Sequence, residues 1–164
     1  MPSPDRQDAT SVESLSPGEA ASLLRQARAL TGTGEAGPSL MAGKKLALLS
    51  ADSGDDLARE FTEAATQLGA HVAVVQPGLD DHSSPAQIDA LARVLGRLYD
   101  AVECQHMPPN LVRRLASSAG IPVFAGLAAA EHPTAALAAG LDTSLPWQAR
   151  RRCILQAALL VSLA

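Results

Sequence analysis

The feature that most constrains this chain is an alternation. Four short apolar runs are interleaved with longer segments whose apolar residues recur at helical spacing. Lys45 to Ser50 lies between Gly43 and the Asp52-Ser53-Gly54 turn and reads as a buried strand. Leu57, Phe61, Ala64, Ala65 and Leu68 then mark one face of a helix over Asp55 to Leu68, closed by Gly69. His71 to Val75 is β-branched and reads as a second strand. After a polar loop, Ser84-Pro85 opens a helix with Ile88, Leu91, Ala92, Leu95 and Leu98 on one face. Asp100 to Gln105 is a third strand, Pro108-Pro109 opens a helix to Ser118, and Ile121 to Ala125 is a fourth strand. Helices are also expected over Glu131 to Ala139 and Pro146 to Leu163, and before the first strand, where Ser16-Pro17-Gly18-Glu19 is a helix start.

Strands that alternate with helices make a parallel sheet with right-handed crossovers. The expected fold is therefore α/β: a three-layer, four-stranded parallel sheet with helices on both faces, plus a C-terminal helix packed on the domain. Such sheets bind ligands at the carboxyl ends of their strands. Here those ends are the loops Ser50 to Asp55, Gln76 to Ser84, Gln105 to Pro108 and Gly126 to His132.

At 164 residues the chain holds one domain, expected over 15–164, behind a disordered polar tail over 1–14. With 47% hydrophobic and 18% charged residues it is too apolar for a disordered chain. Its 32 alanines and 24 leucines favour helices packed closely by small side chains. A net charge of −4 argues against general nucleic-acid binding. Two cysteines make no disulfide framework. The start of the chain has no apolar core of a signal peptide, and the apolar run from Cys153 to Ala164 is too short to span a bilayer. A cytoplasmic protein is expected, with no membrane partner.

Several separated segments resemble one enzyme family, in order and in register. Ala92 to Asp100 resembles a helix-to-strand segment of the ornithine carbamoyltransferases. So do Leu115 to Val123 with Gly126-Leu127, and Glu131-His132-Pro133-Thr134. Ser16 to Glu19 and Gly43 to Leu49 look like the family's first helix and first strand. The resemblance covers Leu15 to Ala139 and implies the carbamoyl-phosphate domain of a two-domain family. Ile154 to Leu163 resembles the family's C-terminal helix, so residues 146–164 would stand for that helix and Gly140 to Pro146 would replace a whole domain.

The resemblance also implies where ligand contacts would fall. The family's Ser-Thr-Arg-Thr-Arg phosphate cradle aligns with Gly54-Asp55-Asp56-Leu57-Ala58, which has none of its hydroxyls or arginines. Ser53 and Arg59 are adjacent but out of register by one. Asp55 and Asp56 at a helix start are ordinary capping residues, and they would repel a phosphate dianion. The family's arginine after the third strand falls on Gln105, and the glutamine of its His-Pro-x-Gln motif falls on Ala135. The loop after the second strand carries Ser83, Ser84 and Pro85 in place of its basic residue. The degenerate cleft is thus Ser53, Gly54, Asp55, Asp56, Gln105, His132 and Pro133. His132 would polarise the carbamoyl carbonyl in the family; here it is vestigial, and no catalytic residue, cofactor or metal is assigned.

Weaker clusters are Asp80-Asp81-His82, which with Asp52 or Asp55 would suit a divalent cation, and Cys104 with His106, a nucleophile and base at a strand end. A buried-core reading suits Cys104 better. Arg150-Arg151-Arg152 reads as a basic patch, or more often as a solvated rim or partners for nearby acids; its place at the unfavourable end of a helix dipole suits specific partners. The expected function is a catalytically inactive relative of ornithine carbamoyltransferase that works through a homo-oligomer, a trimer, or through a full-length carbamoyltransferase partner. The alternatives are a small-molecule binder that reuses the cleft for an amino acid, amine or cation, and a residual carbamoyltransferase.

Overall fold

The computed structural model describes residues 15–32, 39–51 and 54–163. The expected tail over 1–14 and the candidate Ser53, with Asp52, lie outside these residues. The elements follow as α1 Pro17–Thr31, β1 Lys45–Leu49, α2 Asp56–Gln67, β2 His71–Val75 and α3 Pro85–Leu98. Then come β3 Ala101–Cys104, α4 Pro109–Ala119, β4 Val123–Ala125, a 3-10 helix Pro133–Gly140 and α5 Trp147–Leu163.

The four strands form one parallel sheet in the order β2-β1-β3-β4. Alternation along the strands divides the core into two. Leu46, Leu48 and Phe124 face α1, α2 and α5, while Ala47, Leu49, Val102 and Cys104 face α3 and α4. The four-stranded, three-layer α/β arrangement with a C-terminal helix is therefore present.

Local chemistry explains the helix starts. Ser16 with Glu19 and Ser84 with Gln87 form reciprocal capping boxes, each followed by a proline at the first helical position. The α3–α4 contact depends on Gly96, where an added Cβ would stand 2.1 Å from the Ala119 carbonyl oxygen. On α5, Ile154 to Leu160 are all buried. Gln156 secures that face by donating to the Ala64 carbonyl of α2 at 3.1 Å.

One expected element differs. Glu131 to Ala139 is not an α-helix; Glu131 and His132 stay outside, and Pro133–Gly140 winds as a 3-10 helix. Its bonds, such as Ala135 N–H to the His132 carbonyl, close after three residues. Ala, Thr and Leu side chains in this stretch give no amphipathic stripe, so helical periodicity does not choose the tighter or wider winding.

Candidate functional site

At the carboxyl ends of β3 and β4 a cleft of about 430 Å³ opens beside the start of α4. Cys104, Met107, Val112 and Ala125 line its apolar part, and His106 and His132 bring polar atoms to it. Each histidine is held by a different local device.

His132 caps the 3-10 helix. Its Nδ1 accepts from the Thr134 backbone N–H at 3.2 Å and lies 2.8 Å from the Thr134 hydroxyl. An atom that accepts from an N–H carries no proton, so the neutral ring bears its hydrogen on Nε2. Burial, with the positive charge of Arg151 second, pushes the His132 pKa down to about 4. The ring is thus a neutral donor at physiological pH. Pro133 follows as the first residue of the 3-10 helix.

His106 is the one non-glycine residue with positive φ among the described residues, at 55°. That turn brings its Nε2 against the Asp55 carboxylate, across 51 residues of sequence. A carboxylate accepts, so Nε2 carries a proton, and Nδ1 is the ring nitrogen that this contact leaves unused. Asp55 is also the N-cap of α2, with Oδ1 accepting from the Leu57 N–H at 2.8 Å. The Leu57 N–H, and then His106, hold its carboxyl below the usual carboxylate range. Asp56 is exposed and pairs with Arg59 one turn along. Gly54 is exposed in the turn before α2.

Gln105 does not join this cleft. It is 2% exposed, its amide helps to lower the pKa of Glu103, and neither amide atom has a partner in full hydrogen-bond geometry among the described residues. Two residues back along β3, Glu103 is fully buried. Its Oε1 accepts from the Leu127 N–H at 3.0 Å and so ties down the loop after β4. Burial pushes its pKa up to about 8, against the pull of backbone N–H groups from Gly126 to Ala128. Cys104 points to the other side of the sheet, where burial above all, and Glu103 next, raise its thiol far above the ordinary range. It remains a thiol, and His106 is committed to Asp55. The nucleophile-and-base pairing of Cys104 with His106 therefore fails.

Asp80 spends its carboxylate on its own turn, accepting from the His82 N–H at 2.8 Å. Among the described residues no three His, Cys, Asp or Glu side chains come together to hold a metal ion. The three arginines of α5 have separate acceptors. Arg150 lies 5.0 Å over the Trp147 ring, Arg152 stands 3.6 Å from Glu63, and Arg151 donates to the Ala128 and Ala129 carbonyls at 3.1 and 3.3 Å. Sequence reasoning missed three connections here: Glu103 to Leu127, Asp55 to His106, and Arg151 to the loop before His132. Glu103 left a trace, as the one charge inside an apolar strand, and so did Arg151, as a cation at the unfavourable end of a helix dipole. Among the described residues no helix is long and apolar enough to cross a membrane.

Residues 7–142 match the family model described as aspartate/ornithine carbamoyltransferase, carbamoyl-P binding domain. An ornithine carbamoyltransferase of Actinobacillus pleuropneumoniae is 38% identical over 96 residues, covering 58% of this chain and 29% of that protein. One from Cutibacterium acnes is 37% identical over 102 residues, covering 62% and 30%. The chain thus spans about 30% of the length of the curated relatives it matches. The crystal structure of the Pyrococcus furiosus ornithine carbamoyltransferase matches with a TM-score of 0.62 at 27% identity, over 75% of this chain and 40% of that one. The Thermus thermophilus enzyme has the same fold, with a TM-score of 0.64 at 23% identity over 80% and 46%.

Proposed function

Because the chain belongs to the aspartate/ornithine carbamoyltransferase family through its carbamoyl-phosphate-binding domain, we propose that it is a catalytically inactive member working through assembly. The observation that carries this reading is the start of α2. Phosphates bind helix N-termini through free N–H groups and nearby cations. Here Asp55 occupies that position, takes up the Leu57 N–H and pairs with His106. Arg59 is turned to Asp56. The positions that the resemblance gives to an arginine and a glutamine hold a buried Gln105 and a buried Ala135. Among the described residues, what His132 offers to the cationic, preorganised environment that carbamoyl transfer requires is a neutral donor.

Assembly is supported by apolar side chains left at the surface. Val94 and Leu98 on α3 and Val74 on the edge strand β2 are each about half exposed. On this reading residues 15–164 are one domain, α5 is the counterpart of the family's closing helix, and Gly140 to Pro146 stands in place of the second domain. The buried face of α5 against α1 and α2 supports that assignment. The protein acts in the cytoplasm as a homotrimer or on a full-length carbamoyltransferase.

Two measurements test this reading. Purified protein given carbamoyl phosphate and ornithine is expected to form no carbamoylated product above the uncatalysed rate; turnover would overturn inactivity. Sedimentation velocity at micromolar concentration is expected to show a trimer, and a clean monomer that also ignores added full-length enzyme would overturn the assembly reading. A second reading, a small-molecule binder, is favoured by the open cleft between His106 and His132.

A further inference from the structure

We propose that the outer face of α3 is the surface on which a second copy of this chain docks, its apolar stripe and two unpaired arginines meeting the acidic face of α2 on the neighbour. The inference rests on the assembly reading and names the contact that assembly uses.

The face follows from helical geometry. Gly96 is the point where α3 closes on α4, against the Ala119 carbonyl. Two residues turn a helix by about 200°, so Val94 and Leu98 both point away from α4. Leu98 is the most exposed large apolar side chain among the described residues, at 58%, and Val94 follows at 51%. Arg93 and Arg97 stand beside them, about one turn apart and exposed. Among the described residues neither has a carboxylate within ion-pair distance. Asp89 takes Arg114 on both its oxygens, and Arg93 only adds to the field there. An apolar stripe rimmed by unpaired guanidinium groups suits a protein contact, in which the stripe is buried and the charges fix the register.

Charge points to the occupant. Helices α3 and α4 together carry four arginines against one aspartate, in a chain whose net charge is −4. The balancing acids lie elsewhere, and α2 gathers Asp56, Glu60 and Glu63 along one exposed face. The arginines that Asp56 and Glu63 meet within the chain, Arg59 and Arg152, are in exposed pairs of small worth. Val74 adds half-exposed apolar surface on the α2 side of the sheet. Within one chain the two surfaces cannot meet, because α2 and α3 pack on opposite faces of the sheet. Their complementarity is therefore satisfied between copies. Since the two patches differ, the contact runs head to tail, the kind that closes into a ring rather than a two-fold pair.

The test is sedimentation velocity of the full chain over a concentration series, with far-ultraviolet circular dichroism to check that each variant folds. Leu98→Glu sets a charge in the apolar stripe and is expected to weaken association by about tenfold or more. Reversing both arginines, Arg93→Glu with Arg97→Glu, is expected to do the same, and adding Glu60→Lys with Glu63→Lys in that chain should restore assembly. Val161→Glu, at a half-exposed apolar position on α5, is the control and should leave the wild-type state unchanged. If Leu98→Glu does not fold, the arginine reversals decide alone. Assembly that persists in both α3 variants overturns the proposal and leaves the assembly reading standing. Equal loss in Val161→Glu, or no recovery when the α2 charges are reversed, also overturns it. A wild-type chain that stays monomeric overturns the assembly reading itself, and this contact with it.

Discussion

Replacing Glu103 with glutamine isolates the most unusual group in the fold. Glu103 is fully buried, and its pKa moves from an ordinary 4.5 to about 8. Between those values the folded protein holds a proton that the unfolded chain has released. Stability therefore falls as pH rises through that window, by about 1.4 kcal/mol per pH unit. His132 acts with the opposite sign. Its pKa falls from 6.5 to about 4, so the unfolded chain binds the extra proton there and stability rises with pH over that range. The two slopes cancel where the windows overlap. The wild-type protein is then expected to hold a plateau to about pH 6.5 and to lose about 2 kcal/mol by pH 8 from Glu103.

Glu103→Gln retains an oxygen for the Leu127 N–H and the shape of the protonated carboxyl. It should match the wild type near pH 5 and exceed it by about 4 kcal/mol at pH 8. Urea unfolding followed by far-ultraviolet circular dichroism at several pH values measures this, because Trp147 is half exposed and makes a poor fluorescent reporter. The difference between the two profiles removes every other titrating group. Parallel profiles for the wild type and Glu103→Gln would refute the reasoning.

Gly96→Ala forces a Cβ to within 2.1 Å of the Ala119 carbonyl oxygen and should cost about 2 kcal/mol or more, read from the urea midpoint. Leu159→Ala empties a fully buried position on α5 and should cost about 3 kcal/mol, whereas a value near zero would mean that α5 is not part of the core. Asp89 accepts from Arg114 through both carboxylate oxygens and from Ser118, and the Arg114 bond above all lowers its pKa to about 2. Asp89→Asn should lower the melting temperature at neutral pH. The loss should shrink as pH falls from about 4 toward 2, since the lowered carboxyl stabilises only when ionised.

The elements were legible in the sequence because each carries its own local signal. Ser16 and Ser84 announce capping boxes, the β-branched run at β2 announces a strand, and Leu57, Phe61 and Ala65 announce a helix face. The site was legible only in outline. The strand-end loops were foreseen, and so was the capping role of Asp55. The pairing of Asp55 with His106 was not, because it depends on a positive φ at a residue where nothing local requires one. The resemblance gives Gln105 to the cleft, as the position of the family's arginine, and its side chain is buried with Glu103. A side chain's face at the end of a strand is settled by the pleat and by what packs there, not by its neighbours in sequence.

The brace from Arg151 to the carbonyls of Ala128 and Ala129 has a consequence in time. A chain is synthesised from its N-terminus, and domains begin to order as they emerge. The sheet, the capped α2 and the loop bearing His132 all precede Arg151 along the chain. The cleft therefore reaches its final shape only when α5 has left the ribosome and docked, so a nascent chain stalled before residue 151 would carry every residue of the cleft without its finished geometry.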